Sequence, residues 1–263
     1  MRFWILMAVL LVLGGCDRET ASPSGAGAVE TAAVSRPKKV VPGVRVQKVS
    51  LPEHLKLAAA VPAATAPKPS AVQAPSQAIE AMRAKLEQAG FGALAAGDWS
   101  DIDDDPVRPE SILRAAGLLI WFDVETGSFP NQHDILLREL ATAAAGDLAG
   151  VVFEEIPPND SDDGGRYVLN AYADGRRWSV NAENFGDWYD VDAMLRLANA
   201  LLRDRASDRR MLLLASEDQT SEVVVAPRAA LGAALRKGLL YAGDPAVARE
   251  AGQAFEASVG QKR

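Results

Sequence analysis

Apolar positions along this chain fall into three textures. Phe3 to Leu13 is an unbroken apolar run, residues 17–75 show almost no periodicity, and from Ser76 onward helical and strand periods alternate. Ile79, Met82 and Leu86 recur on one helical face behind Ser76, a capping residue, which predicts a helix through Gln88 that Gly90 stops. Pro109 opens a short helix that Gly117 ends, and the continuous apolar run Leu118 to Val124 predicts a central strand. Asn131 is placed to cap a helix reaching about Ala145, with Asp134 at its third position and Ile135, Leu136 and Leu140 facing inward. Ala149 to Ile156 reads as a strand halted by Pro157-Pro158.

Further along, Arg166 to Ala173 and Arg176 to Ala182 flank Asp174-Gly175, a hairpin signal because both turn residues tolerate positive φ. Val191, Met194, Leu195, Ala198 and Leu202 line one face of a helix expected over Asp187 to Arg203. Met211 to Ser216 and Glu222 to Ala226 bracket a polar turn as a second hairpin, Pro227 starts a helix that Gly238 ends, and Pro245 begins a last one. Hairpins mixed with helices predict an α+β fold: a largely antiparallel sheet with helices packed on one face.

Composition changes the picture before Ser76. Residues 17–75 hold eight of the 15 prolines, and no aromatic residue occurs between Trp4 and Phe91. Such a segment buries too little apolar surface to offset its ordering entropy, so residues 16–75 are expected to form a disordered tether with a reach on the order of 40 Å. Within it, Val44-Arg45-Val46-Gln47-Lys48-Val49 alternates with strand period, which suits addition to a partner's sheet edge or rest on anionic lipid. Charge divides in the same way. The tether carries eight basic and four acidic residues, whereas residues 76–263, the expected globular domain, keep 19 basic against 31 acidic side chains. An acidic domain repels nucleic acid and favours a basic partner, cations or plain solubility.

The apolar run before the tether is too short to span a bilayer, and with Arg2 in front it has the build of a secretory signal. It ends in Leu13-Gly14-Gly15-Cys16, which resembles the lipobox of bacterial lipoproteins: an aliphatic residue three positions before the cysteine, then small residues. The resemblance implies removal of residues 1–15 by cleavage between Gly15 and Cys16, diacylglycerol on the Cys16 sulfur, and a periplasm-facing protein held to the cell membrane by its acyl chains. Asp17 directly after the cysteine resembles the inner-membrane retention signal of enteric bacteria. Cys16 is the only cysteine, so the exported domain forms no disulfide and draws its stability from its core.

Candidate chemistry is sparse. Gly97-Asp98-Trp99-Ser100-Asp101-Ile102-Asp103 recurs as Gly186-Asp187-Trp188-Tyr189-Asp190-Val191-Asp192, each copy followed by a helical segment and an apolar strand, as expected of a duplication that has diverged. In each copy the first Asp suits a helix cap and the second the positive end of the helix dipole. The alternative is that Asp98, Trp99, Asp101, Asp103, Asp187, Trp188, Asp190 and Asp192 converge on one site for a cation or a basic loop. Asp101, Asp103 and Asp105 share the spacing of EF-hand ligands, but Pro106 stands at the required glycine; the loop Asn159 to Gly164 has its glycine and lacks the closing glutamate. His133 is the domain's one histidine, expected on the surface of a helix's first turn, and no Gly-x-Ser-x-Gly elbow, Walker loop or dinucleotide fingerprint occurs. Trp121, Trp178, Tyr172 and Tyr189 supply either a sugar groove or core.

These residues predict a lipid-anchored periplasmic binding module with no catalytic residues, metal or cofactor, whose partner is a basic protein. An immunity-type lipoprotein that captures a cell-wall-degrading toxin is its sharpest form. Two alternatives stay open: an envelope hydrolase using paired carboxylates such as Asp187 and Asp190, and an assembly factor of an envelope or secretion machine that works through residues 40–57.

Overall fold

The computed structural model describes residues 43–63, 75–94, 99, 102, 106–159 and 165–260, all within the unit Val40–Arg263. Local signals decide most elements. The Ser76 hydroxyl accepts the Ile79 amide at 3.2 Å and starts α1 (Gln77–Leu86), which buries Ile79 and Leu86; its last turn widens over Glu87–Phe91 and breaks at Gly90, where φ is 100°. Pro109 opens α2 (Pro109–Ala115), and Gly117 ends it at φ 69°. The hairpin of β4 (Tyr167–Ala173) and β5 (Arg176–Ala182) turns on Asp174 and Gly175, at φ 51° and 67°.

The fold is α+β, and every described strand pairing is antiparallel, but the strands form two sheets rather than one. The first runs β1-β5-β4-β3, with β1 (Arg45–Lys48) and β3 (Val152–Ile156) at its edges. The second runs β2-β7-β6, with β2 (Leu119–Asp123) and β6 (Arg209–Leu213) flanking β7 (Thr220–Pro227). The expected central strand Leu118–Val124 is therefore an edge. Val223 to Ala226 of β7 takes the centre, and its run is apolar because both its faces are covered.

Alternation along β7 separates two cores. Val223 and Val225 join Phe122, Met211 and Leu213 on one face, together with the inner face of the first sheet. Between the sheets lies α4 (Val191–Asp204), buried at Met194, Leu197, Leu201 and six further positions, beside α3 (His133–Thr142). On the other face, Leu119, Val224 and Ala226 pack under α1, α2 and α5 (Arg228–Arg236). The layers thus run sheet, helices, sheet, helices. The closing helix α6 (Pro245–Gly260) comes so close to Trp188 that a methyl group at Gly252 would collide with the indole.

Three local expectations change. The helix expected from Asn131 starts at His133 behind Gln132 at φ 62°, which makes no side-chain cap, and Ile135, expected inward, is 46 % exposed. The helix expected from Asp187 starts at Val191. Most consequentially, residues 43–63 belong to the fold and not to a tether. Arg45 to Lys48 pair with Ser179 to Arg176 of β5, Val44 sits in the main core, and Val61 exchanges backbone hydrogen bonds with Val151 and Gly150 at 2.8 and 2.9 Å. The strand-period segment completes this chain's own sheet.

Candidate functional site

The helices over β2 and β7 stop short of the strand ends, and the sheet face they leave bare forms the floor of an open cleft of about 690 Å3. Leu119, Trp121 and Asp123 project from one face of β2, opposite Val224, Glu222 and Thr220 of β7. Leu119 and Val224 lie under the helices; Trp121 and Glu222, one pair further on, lie in the cleft. Trp121 is 49 % exposed and Tyr241, which also lines the cleft, 66 %. Exposed aromatic side chains of this size carry a large apolar area that water solvates poorly, and with arginine they dominate protein contact sites.

Charge around the two rings is mixed with an acidic excess. Arg114 donates to Glu222, and Arg108 pairs with Glu110 at 3.6 Å, so two carboxylates are answered by two guanidinium groups of α2 and its approach. Glu217 and Asp218 supply two more carboxylates on the loop after β6. The Thr220 hydroxyl and amide donate to Asp218 at 2.6 and 2.8 Å and, with the Ser216 hydroxyl, hold its carboxyl below the ordinary carboxylate range. Asp218 therefore stays anionic at neutral pH and is fixed in place. A cleft lined by two exposed aromatic rings and four carboxylates is suited to binding a segment that carries a cation.

The residues singled out in the repeated motif distribute differently. Asp98, Asp101 and Asp103 lie outside the described residues, as do Gly15, Cys16, Asp17 and residues 160–164 of the second acidic loop. Trp99 is buried in the core under α1 and α2, with the Arg83 guanidinium 5.4 Å from its ring centre, whereas Trp188 is buried in the core around α4. The two tryptophans thus sit in separate cores. The strands that follow the two copies, β2 and β6, occupy opposite edges of one sheet and run in the same direction, and their helices α2 and α4 cover opposite faces of it. Asp187 contributes its carbonyl to the Thr126 amide at 2.6 Å, and Asp192 is a surface partner of Arg196 at 2.8 Å. Asp190, and not Asp187, caps α4: its two carboxylate oxygens accept the Ala193 and Glu183 amides at 3.0 and 2.8 Å. Asp190 is 5 % exposed, so its carboxylate serves the start of α4 from inside the fold.

His133, expected on the surface, is completely buried. Its Nε2 accepts the Asp190 amide at 3.2 Å, which fixes the ring proton on Nδ1, where it is donated to Glu155 at 2.6 Å. The same Glu155 oxygen accepts the His133 amide at 2.6 Å, and the Tyr167 and Tyr189 rings close the site at 4.9 and 5.2 Å. Burial and the negative Glu155 push the Tyr167 hydroxyl up to about 12. Both ring nitrogens are spent on structure: this node ties α3 to β3 and to the start of α4.

Of the aromatics weighed for a sugar groove, Trp178 and Tyr172 are core and only Trp121 faces an open cleft. Its signal was phase, since it alternates with Leu119 and Asp123 and so shares a face with a charged residue. Tyr241 lay in a stretch without periodicity and gave none. Comparison with protein-family models, with curated proteins and with solved structures gave no match.

Proposed function

We propose that this chain is a lipid-anchored, periplasm-facing binding module that captures a basic protein, with the cleft over β2 and β7 as its contact site. A single observation carries the reading: a half-exposed tryptophan, Trp121, set beside Glu222 in a cleft that also holds Glu217, Asp218 and Tyr241. The acidic balance of residues 76–263 supports it, because a field of that sign speeds the encounter with a basic partner. The leader ending in Leu13-Gly14-Gly15-Cys16 supports the location. An immunity-type role, intercepting a basic cell-wall-degrading enzyme as it enters the periplasm, fits a module of this charge in that place.

The test places a photo-crosslinking amino acid at Glu217 of the full chain in cells. The expected product is one dominant adduct with a basic protein, lost at high salt, and lost with Trp121→Ala, which as a central anchor should weaken capture by roughly 30-fold. Cell-wall turnover by the wild-type protein, abolished in Asp187→Asn, would replace capture by hydrolysis.

A further inference from the structure

Apart from the acidic cleft the molecule carries a groove of the opposite sign. It is about 790 Å3 in volume, lies between the β6 edge and α5, and is lined by Arg210, Arg228 and Arg236 with Leu212 and Leu231 beneath them. Asp208 is the only carboxylate that lines it. Among the described residues no carboxylate pairs with Arg210, Arg228 or Arg236, nor with Arg203, which stands close enough to Arg210 to repel it. Arg210 donates to the Ser207 and Arg209 carbonyls and feels the Asp208 charge, so three arginines in this groove face one carboxylate in a domain where acidic side chains far outnumber basic ones.

A further feature leaves positive charge unanswered there. The first turn of α5 has no acidic residue and no side-chain cap, and opens with Arg228, a cation at the positive end of the helix dipole. An anion at this helix start would offset both the dipole and the Arg228 charge. Burial first, and then the neighbouring Arg203 and Arg228 charges, depress Arg210 against the opposing pull of Asp208.

We infer that this groove binds a phosphate-bearing ligand, and specifically the headgroup of an anionic phospholipid. Guanidinium forks match the oxygens of a phosphate pairwise, which favours phosphate over a point anion. The apolar floor decides the source. Leu212, Leu231 and the half-exposed Leu235 give a free, fully hydrated phosphate nothing to gain, but they accept the glycerol and first methylenes behind a lipid headgroup. This site is independent of the cleft and of the protein partner proposed for it.

The full chain, held in nonionic detergent, is titrated calorimetrically with dihexanoyl phosphatidylglycerol, dihexanoyl phosphatidylcholine and inorganic phosphate. Saturable binding of the phosphatidylglycerol is expected, with phosphatidylcholine and phosphate each about tenfold weaker or more. Arg210→Gln and, separately, Arg228→Gln and Arg236→Gln should each weaken the first ligand by about tenfold, while Glu217→Gln in the other cleft leaves it unchanged. Arg228 and Arg236 are exposed, so their variants test the site even where Arg210→Gln fails to fold. Equal binding of the two lipids, phosphate binding as tight as the phosphatidylglycerol, or arginine variants that bind like wild type would each overturn the assignment.

Discussion

The buried His133–Glu155 pair shows what a single residue carries here. Glu155 is 6 % exposed, His133 not at all, and the pair links α3, β3 and the α4 cap. Removing one partner leaves the other charge or donor buried without its complement, so His133→Leu should cost about 3–5 kcal/mol in urea unfolding. A loss under about 1 kcal/mol would mean that the node can be repacked without it. A second residue-scale prediction concerns acid. Burial by itself would raise the Glu154 carboxyl, but hydrogen bonds from Tyr172, His54 and Asn170 outweigh it and hold the group below its ordinary 4.5. A depressed carboxyl contributes stability that is complete above its unfolded value and is lost as pH falls through the folded one. The Tyr172 hydroxyl, pushed up to about 12 by burial and by its bond to Glu154, keeps its proton throughout. Tyr172→Phe removes one of the three donors and raises the folded value toward the unfolded one, so the acid-dependent loss of stability should be smaller and end at a higher pH than in wild type. Superimposable stability–pH profiles would exclude this role.

At the scale of elements, β1 is the part that composition hid. Averaged over residues 17–75, low aromatic content and frequent proline outweigh a short amphipathic stretch, although Val44 to Val49 alternates in phase with the sheet that receives it. The strand is short, and its partner β5 is more than 120 residues away in sequence, a pairing that no local pattern announces. Hydrogen exchange tests it directly. The Val49 and Val61 amides, bonded to Gly175 and Val151 at 3.0 and 2.8 Å, should exchange far more slowly than an unstructured chain; random-coil rates at both would detach the segment from the fold. It also follows that deleting residues 40–57 removes an edge strand, so lost partner recovery in such a variant reports on the fold as much as on a contact. Elsewhere legibility tracks locality. The Asp174-Gly175 hairpin, the Ser76 cap and the β6–β7 hairpin were readable because a few adjacent residues decide them. The exposed ends of the sheet, and hence both grooves, depend on where helices distant in sequence stop. Arg210, Arg228 and Arg236 are scattered among ordinary surface positions until β6 and α5 meet.

For the molecule as a whole, the expected anchor turns two grooves of opposite sign into a question of placement. With β1 starting at Arg45, 27 residues separate Cys16 from Gly43 and reach at most about 100 Å, so an anchor at Cys16 would hold the domain within that distance of the bilayer. An anionic bilayer repels the acidic majority of the surface and attracts the arginine groove, so tethering would favour poses that put α5 toward the headgroups. All of this requires acyl chains on Cys16. Two or more chains give stable anchoring where one gives only reversible contact. Metabolic labelling decides it: wild-type protein should take up palmitate and migrate at the size of residues 16–263, while Cys16→Ser should take up none and keep its leader. Equal labelling of the two, or unprocessed wild-type chain in the soluble fraction, would remove the membrane from the account. It would leave the arginine groove in need of a phosphate ligand that diffuses freely.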